Sequence, residues 1–262
     1  MAAEKHEARR IAVISGKGGV GKSVITANVA AALSSIGRRI LIVDADLGLA
    51  NLDVILGVAP PFTIQDILYR GRPPEEVLFP TDKGFDLMPA GSGLPEGTMF
   101  TQNLAGDIES ILASLEDRYD AILFDGGAGI GDVVLFFANL AHEILLVVTP
   151  EPTSLMDAYA SIKILHQVYG RSEFLLLVNQ ADPDCPDQIG ASIAGHLQSV
   201  ISRYLDSDDH GLVRIELIGS IPEDPAVPHA VMRRQLLSES CPDAPSTFLM
   251  NQVADFLDRK FL

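Results

Sequence analysis

The fold of this chain is decided by one stretch of sequence, Gly16-Lys17-Gly18-Gly19-Val20-Gly21-Lys22-Ser23. It fits the pattern G-x-x-x-x-G-K-[ST], whose glycines let backbone N–H groups turn towards a phosphate. The apolar run Ile11–Ile14 before it predicts a buried strand, and the run Ile25–Leu33 after it predicts a helix whose positive N-terminal end favours anions. We therefore expect Lys22 to reach the β- and γ-phosphates of a nucleotide and the Ser23 hydroxyl to ligate Mg²⁺.

Short apolar runs alternate with helical patterns along the whole chain. Because the runs lack polar alternation, they are typical of strands that are covered on both faces. This repetition predicts an α/β fold, a three-layer, doubly wound and mostly parallel sheet flanked by helices, with ligands at the carboxyl ends of the strands. We expect one domain over residues 1–262, flexible at 1–10 and ending in an amphipathic helix at 246–262. The predicted strands are Ile11–Ile14, Ile40–Val43, Phe85–Met88, Ala121–Phe124, Ile144–Val148, Phe174–Val178 and Val213–Ile218.

Composition narrows the classes of partner. The net charge is −16, which argues against nonspecific nucleic-acid binding and against strong attraction to anionic lipid. The two cysteines, Cys185 and Cys241, form no C-x-x-C pair, so a reduced cytoplasmic protein is the expectation. No apolar run approaches the ~20 residues that cross a bilayer.

Carboxylates follow two of the predicted strands. Asp44 and Asp46 come after Ile40–Val43, and Asp125 comes after Ala121–Phe124 at the start of a glycine-rich segment. Carboxylates placed there can hold Mg²⁺ and its waters and can orient an attacking water, although aspartates also cap ordinary turns. Because Asp44 and Asp46 share the strand-end placement of the phosphate loop, function is the favoured interpretation.

A second lysine, Lys17, follows the first glycine of the loop. Two like charges in one small loop are costly unless phosphate charges lie between them, so a phosphate-directed role is favoured over a solvated surface charge. In this feature the chain resembles the deviant Walker A ATPases, the group that contains MinD, ParA, the nitrogenase iron protein and ArsA. The segment 44–53, Asp-Ala-Asp-Leu-Gly-Leu-Ala-Asn-Leu-Asp, also matches the MinD-like pattern D-x-D-x-G-L-x-N-x-D.

The resemblance implies a role for each motif residue. Lys17 would cross the interface of an ATP-sandwich dimer to the partner's nucleotide, Asp44 would support the Mg²⁺ shell, and Asp46 would position or activate water. Asp125 would be the Walker B aspartate. The chain departs from its relatives at Gly126, where they place Thr, Ser or Pro.

Two further strand ends resemble the adenine contacts of MinD-like proteins. Asn179 follows Phe174–Val178, and Pro222-Glu223-Asp224 follows the last strand. Taken alone, both are ordinary turn residues. The segment Thr149–Ser154 most resembles the flagellar-number branch of the family, FlhG/FleN.

The resemblance implies an ATP-dependent homodimeric switch that hydrolyses Mg-ATP and regulates the placement or number of flagella. The implied protein partner is an FlhF-like GTPase or a transcription activator, although the stimulatory D-Q-A motif is absent from Met1–Arg10. Division-site or cargo positioning and a non-hydrolysing nucleotide-binding module remain alternatives. A carrier of electrons or metal clusters, like the nitrogenase iron protein, is disfavoured. Such carriers need cysteines that bridge two subunits, and Cys185 and Cys241 have neither the pairing nor the expected place after the Asp125 region.

The sequence allows two interpretations of the C-terminal stripe Leu249, Val253, Phe256 and Leu257. One is weak, dimer-dependent contact with the inner face of the membrane. The other, which we favour, is a last core helix that packs its stripe on the sheet.

Overall fold

The computed structural model describes residues 7–47, 51–91, 101–205 and 211–262. Of residues 1–10, where flexibility was expected, 1–6 lie outside these ranges, and so do Gly48, Leu49 and Ala50 of the second motif. The expectation is wrong for Arg9 and Arg10, which begin the first strand and pair with neighbouring strands.

Eight strands lie within the described ranges: β1 Arg9–Ser15, β2 Ile40–Ala45, β3 Phe79–Pro80, β4 Asp86–Met88, β5 Ala121–Ala128, β6 Glu143–Val148, β7 Glu173–Ala181 and β8 Arg214–Pro222. They form one sheet in the order β3-β4-β2-β5-β1-β6-β7-β8. All neighbouring strands are parallel except the edge pair β3–β4. All seven predicted strands are present and the predicted fold class is confirmed.

Helices cover both faces of this sheet. The described helices are α1 Lys22–Ser35, α2 Leu52–Leu56, α3 Ile64–Arg70, α4 Pro74–Val77, α5 Gln102–Ala113, α6 Asp132–Leu140, α7 Pro152–Tyr169, α8 Pro186–Tyr204, α9 Ala226–Arg233, α10 Leu237–Ser240 and α11 Pro245–Phe261. One layer packs α1, α2 and α9 to α11 on the sheet, and the other packs α3 to α8.

Strand β1 illustrates why the predicted strands read as continuous apolar runs. Ile11 and Val13 belong to the core on the α1 side, whereas Ala12 and Ile14 belong to the core on the other side. Successive side chains of a strand point to opposite faces, so a strand buried on both faces needs apolar residues at every position.

The C-terminal stripe is part of the core. Val253 and Leu257 of α11 are each 1% exposed, and they pack in the layer that also contains α1. The end of the helix is held by Arg38, whose Nε donates to Asp258 Oδ1 at 2.6 Å, and by an ion pair between Lys260 and Glu216. Leu249 and Phe256 are half-buried and pack against the same core, so of the two interpretations the structure supports the core helix.

None of the helices within the described ranges combines enough length with enough apolar character to cross a lipid bilayer.

Candidate functional site

The loop between β1 and α1 has the backbone of an anion cradle. Gly19 and Gly21 have φ of 78° and 94°, a region that side-chain-bearing residues rarely adopt. At Gly21 a side chain would also be blocked, since its Cβ would lie 2.5 Å from Asn179 Nδ2. Helix α1 begins at Lys22 with no side-chain cap and no acidic residue in its first turn. Its first N–H groups are therefore available to an anion.

Lys22 is buried and is held close to the loop. Its Nζ donates to Ser15 Oγ at 2.8 Å, and Ser15 Oγ in turn donates to the carbonyl of Lys17 at 2.6 Å. Burial lowers the pKa of Lys22, while the charges of Asp125 and Asp46 act in the opposite direction. The ammonium thus lies at the loop near two carboxylates, where the negative charge of a bound phosphate would further favour its protonated form.

Asp44 and Asp125 occupy opposed positions on the paired strands β2 and β5. Burial, followed by repulsion from Asp125, raises the pKa of Asp44 to about 8. Burial also raises the pKa of Asp125 to about 6, against hydrogen bonds from the hydroxyls of Ser23 and Thr26, the latter at 3.0 Å. Two buried carboxylates that resist ionisation side by side fit a cation between them and the phosphates, and the oxygen donors fit Mg²⁺.

Asp46 directly follows strand β2 and lies beside the phosphate loop. Its backbone N–H donates to Asp44 Oδ1 at 3.1 Å, and a Cβ added at Gly127 would lie 3.5 Å from its carboxyl carbon. It lines a cavity of about 490 Å³ that contains the phosphate loop. The lining residues are Gly18, Gly19, Gly21, Lys22, Ser23, Val24, Asp46, Asn51, Val54, Ile55, Gly126 and Ala128.

A second cavity, of about 680 Å³, lies on the other side of Gly21 and Val24, which line both. The sequence-predicted residues Asn179 and 222–224 are among its walls. The full lining is Gly21, Val24, Ile25, Asn179, Gln180, Pro183, Pro222, Glu223, Asp224, Pro225, Val227, Pro228, Val231 and Met250. Its walls are largely apolar, and it adjoins the phosphate cradle, so one nucleotide could place its base here and its phosphates there.

The amide of Asn179 is oriented by the phosphate loop. Its Nδ2 donates to the carbonyl of Val20 at 2.7 Å, which leaves Oδ1 and the second N–H of Nδ2 available to a base. Asp224 is held differently: its carboxylate accepts from Ser246 Oγ at 2.7 Å and from the N–H of Ala226 at 2.8 Å. Burial alone would raise the pKa of Asp224, but these hydrogen bonds lower it below its ordinary value. Asp224 therefore fixes the loop, and Asn179 couples the base cavity to the phosphate loop.

Lys17 does not enter either cavity. Its Nζ forms an ion pair with Glu151, at the start of α7, and lies 3.4 Å from Thr153 Oγ1. Gly16 packs directly on this helix, because a Cβ there would lie 2.3 Å from the carbonyl carbon of Asp157. The loop therefore rests on the beginning of α7, and Lys17 emerges beside it.

Three features of the site lie outside the sequence motifs. Ser15 precedes the pattern, and Thr26 follows it by one helical turn on the same face as Lys22, a spacing that could have revealed it. The apolar wall of the base cavity comes from α9 and α11 and carries no motif. At Gly126, a Cβ would lie 3.0 Å from both Ile14 Cγ2 and the carbonyl oxygen of Val13, so a Thr, Ser or Pro there would require these neighbours to shift.

Comparison with known proteins agrees with this geometry. Residues 7–257 match a family model described as ParA: NUBPL iron-transfer P-loop NTPase. The chain is 36% identical over 253 residues to the antiactivator FleN of Pseudomonas aeruginosa, covering 97% of this chain and 87% of that protein. The chain belongs to the ParA/MinD family of P-loop NTPases. Members of this family are generally ATPases.

The chain is also similar to a second flagellar protein and to solved structures of MinD. The flagellum site-determining protein YlxH of Helicobacter pylori is 32% identical, with 98% of this chain and 84% of that protein covered. The MinD cell division protein of Aquifex aeolicus superposes with a TM-score of 0.74 at 26% identity, covering 97% of this chain and 98% of that one. A complex of MinC and MinD from the same organism gives 0.75 at 29% identity, with the same coverage. A Pyrococcus horikoshii MinD, solved with Mg-ADP, shares the fold at 22% identity and a TM-score of 0.72, covering 96% of each chain.

Proposed function

We propose that this protein is a switch that binds and hydrolyses Mg-ATP, dimerises when ATP is bound, and regulates the number or placement of flagella. One observation carries the nucleotide part: the base cavity and the phosphate cradle share Gly21 and Val24, with Lys22 at the cradle. The flagellar part is supported by similarity over nearly the whole chain to FleN and YlxH.

In this proposal the phosphate loop binds ATP through the N–H groups of residues 16–23 and the N-terminus of α1. Lys22 exchanges its contact with Ser15 for the β- and γ-phosphates. Because Lys22 is buried, its charge acts through a low dielectric and is worth more there than in water. The proposed contacts to the base are Asn179 Oδ1 and the loop Pro222, Glu223 and Asp224.

Ser23, Asp44 and Asp125 are the proposed Mg²⁺ ligands or holders of its waters. Bound Mg²⁺ would neutralise developing charge on the phosphates. Its positive charge would also favour the ionised forms of Asp44 and Asp125, whose pKa values are raised without it.

Hydrolysis is assigned to water held by Asp46. Its carboxylate lines the phosphate cavity, beside the backbone of Gly127, so a water between it and the γ-phosphate would be oriented for in-line attack. Phosphoryl transfer needs positioning more than covalent chemistry, so one water-orienting carboxylate is sufficient. Lys17 is proposed to stabilise the phosphates of the partner subunit's nucleotide, which makes dimerisation and catalysis interdependent.

The location proposed for this switch is the cytoplasm, where ATP is supplied, with transient contact at the inner face of the membrane through its partners. The partner that reads the dimer is proposed to be a transcription activator, as the name antiactivator implies for FleN, or an FlhF-like GTPase. Direct binding to nucleic acid is not part of the proposal, because the net charge is −16.

The test combines phosphate release with a cell count. Purified native protein should release phosphate from Mg-ATP, whereas Asp46→Ala should bind ATP and release phosphate at least ~100-fold more slowly. In the organism that carries the gene, deletion should change the number or position of flagella, and Asp46→Ala should not restore them. ATP binding without turnover would favour a non-hydrolysing module, and misplaced septa with normal flagella would favour division-site positioning.

A further inference from the structure

The contact that Lys17 makes in the single chain has a consequence of its own. Its ammonium is paired with the Glu151 carboxylate and lies near the Thr153 hydroxyl, both at the N-terminal end of the 18-residue helix α7. An ammonium that occupies this place cannot at the same time reach across to a second subunit. In the single chain, Lys17 is therefore already paired with Glu151, although the proposed dimer needs it at the partner subunit's nucleotide.

We propose that Glu151 is an intramolecular latch that holds Lys17 away from the partner subunit's nucleotide and thereby opposes dimerisation. This inference rests on the proposed function, which gives Lys17 its role in the dimer. Glu151 is a positioning residue in this scheme, since it acts only through Lys17.

The local fold explains why the latch is built from this residue. Gly16 lies against the backbone of Asp157 with no room for a side chain, so the loop is seated on the first turns of α7 and Lys17 is delivered next to the helix start. The N-terminal end of a helix carries partial positive charge and disfavours a cation nearby. The Glu151 carboxylate reverses that local field, so without it the ammonium would be repelled from its resting place.

The latch is weak by construction, which suits a reversible switch. The side chains of Lys17 and Glu151 are 40% and 56% exposed, so water screens the pair. Exposed pairs of this kind change an equilibrium by about 1.4-fold to fivefold each, and a dimer must open two of them. Removing the carboxylate should therefore tighten the dimer by between about twofold and thirtyfold.

The test measures the dimer dissociation constant by sedimentation velocity with saturating Mg-ATP, in the Asp46→Ala background so that ATP persists. Adding Glu151→Gln should lower that constant within the predicted range. Glu76→Gln is the matched control, because Glu76 is 54% exposed and forms a similar surface pair with Arg72. The control should leave the constant unchanged. A constant that is unchanged or higher with Glu151→Gln would overturn the latch.

A second measurement examines the single chain directly. Acylation of Lys17 by an amine-reactive ester, followed by mass spectrometry without nucleotide, should be faster in Glu151→Gln than in the native protein, with no change in Glu76→Gln. Equal Lys17 rates in all three proteins would refute the resting contact. If the Asp46→Ala protein forms no dimer with ATP, the proposed function fails, while the labelling rates still decide whether Glu151 holds Lys17.

Discussion

Replacement of Asp44 by Asn gives the sharpest physical test of the metal end of the site. Asp44 is buried beside Asp125, and its pKa is raised from 3.8 to about 8. Between these two values the folded chain binds more protons at this position than the unfolded chain, so its stability falls as pH rises. From about pH 5 to pH 7, this one group should remove about 2–3 kcal/mol from the free energy of unfolding. Asn cannot ionise, so the Asp44→Asn variant does not lose this stability as pH rises.

The assay is urea unfolding followed by circular dichroism, with EDTA and without nucleotide, because the chain contains no Trp for fluorescence. The stability of Asp44→Asn relative to the native protein should increase by about 2–3 kcal/mol between about pH 5 and pH 7. Loss of the hydrogen bond from the Leu52 N–H shifts the variant by a constant amount and leaves this difference intact.

Asp66→Asn supplies the control. The hydrogen bond from the Thr63 N–H lowers the pKa of Asp66, so its stabilising effect is complete above 3.8 and is lost only in more acidic solution. Its difference from the native protein should stay flat over the same interval. If the stability difference between Asp44→Asn and the native protein were also constant over this interval, burial and repulsion would not raise the pKa of Asp44. The argument for a cation site between Asp44 and Asp125 would then fail. With saturating Mg-ADP the native protein should be more stable than Asp44→Asn, because the native site binds Mg²⁺ more tightly.

Three further predictions follow from the same geometry. Gly21→Ala, at φ of 94° and with its Cβ 2.5 Å from Asn179 Nδ2, should abolish ATP binding in calorimetry. Gly37→Ala, also at φ of 94° but with open space around it, should bind ATP normally despite a lower melting temperature. Equal ATP affinity in both variants would contradict a phosphate loop shaped by the close approach of Gly21 to Asn179. Asn179→Asp should weaken ATP binding by about tenfold or more, since a carboxylate loses the donor to the Val20 carbonyl, and an unchanged affinity would remove Asn179 from the base site. Leu257→Ala should destabilise the protein by about 2–5 kcal/mol in urea unfolding, while Phe248→Ala, 62% exposed on the same helix, should have little effect; similar small losses in both would argue against a core role for the stripe.

The sequence was informative wherever local chemistry dictates structure. Continuous apolar runs predicted the seven main strands because both faces of the sheet are covered by helices. The strand β3 at Phe79–Pro80 was not predictable, since two residues at a sheet edge leave no hydrophobic period. Thr63 and Asp66 stand three residues apart, the spacing of a capping box, and the structure has that capping box at the start of α3.

The candidate site divides in the same way. The motifs predicted Lys22, Ser23, Asp44 and Asp125 as site residues, and the structure brings them to one end of the sheet. The base cavity owes its apolar wall to α9 and α11, which approach it only through tertiary packing. The pairing of Lys17 with Glu151 joins positions 134 residues apart, so no local pattern could have indicated it. The choice between two meanings of the C-terminal stripe likewise depended on what the helix packs against.

The central claim, an ATP-driven change of assembly state, is tested most directly by light scattering coupled to size-exclusion chromatography. The native protein and Asp46→Ala should be run without nucleotide, with Mg-ADP and with Mg-ATP. The account predicts the monomer mass in the first two conditions, a dimer with Mg-ATP that persists in Asp46→Ala, and a dimer that decays as the native protein consumes ATP. A monomer mass in every condition would contradict the account and would leave a nucleotide-binding module without the proposed switch.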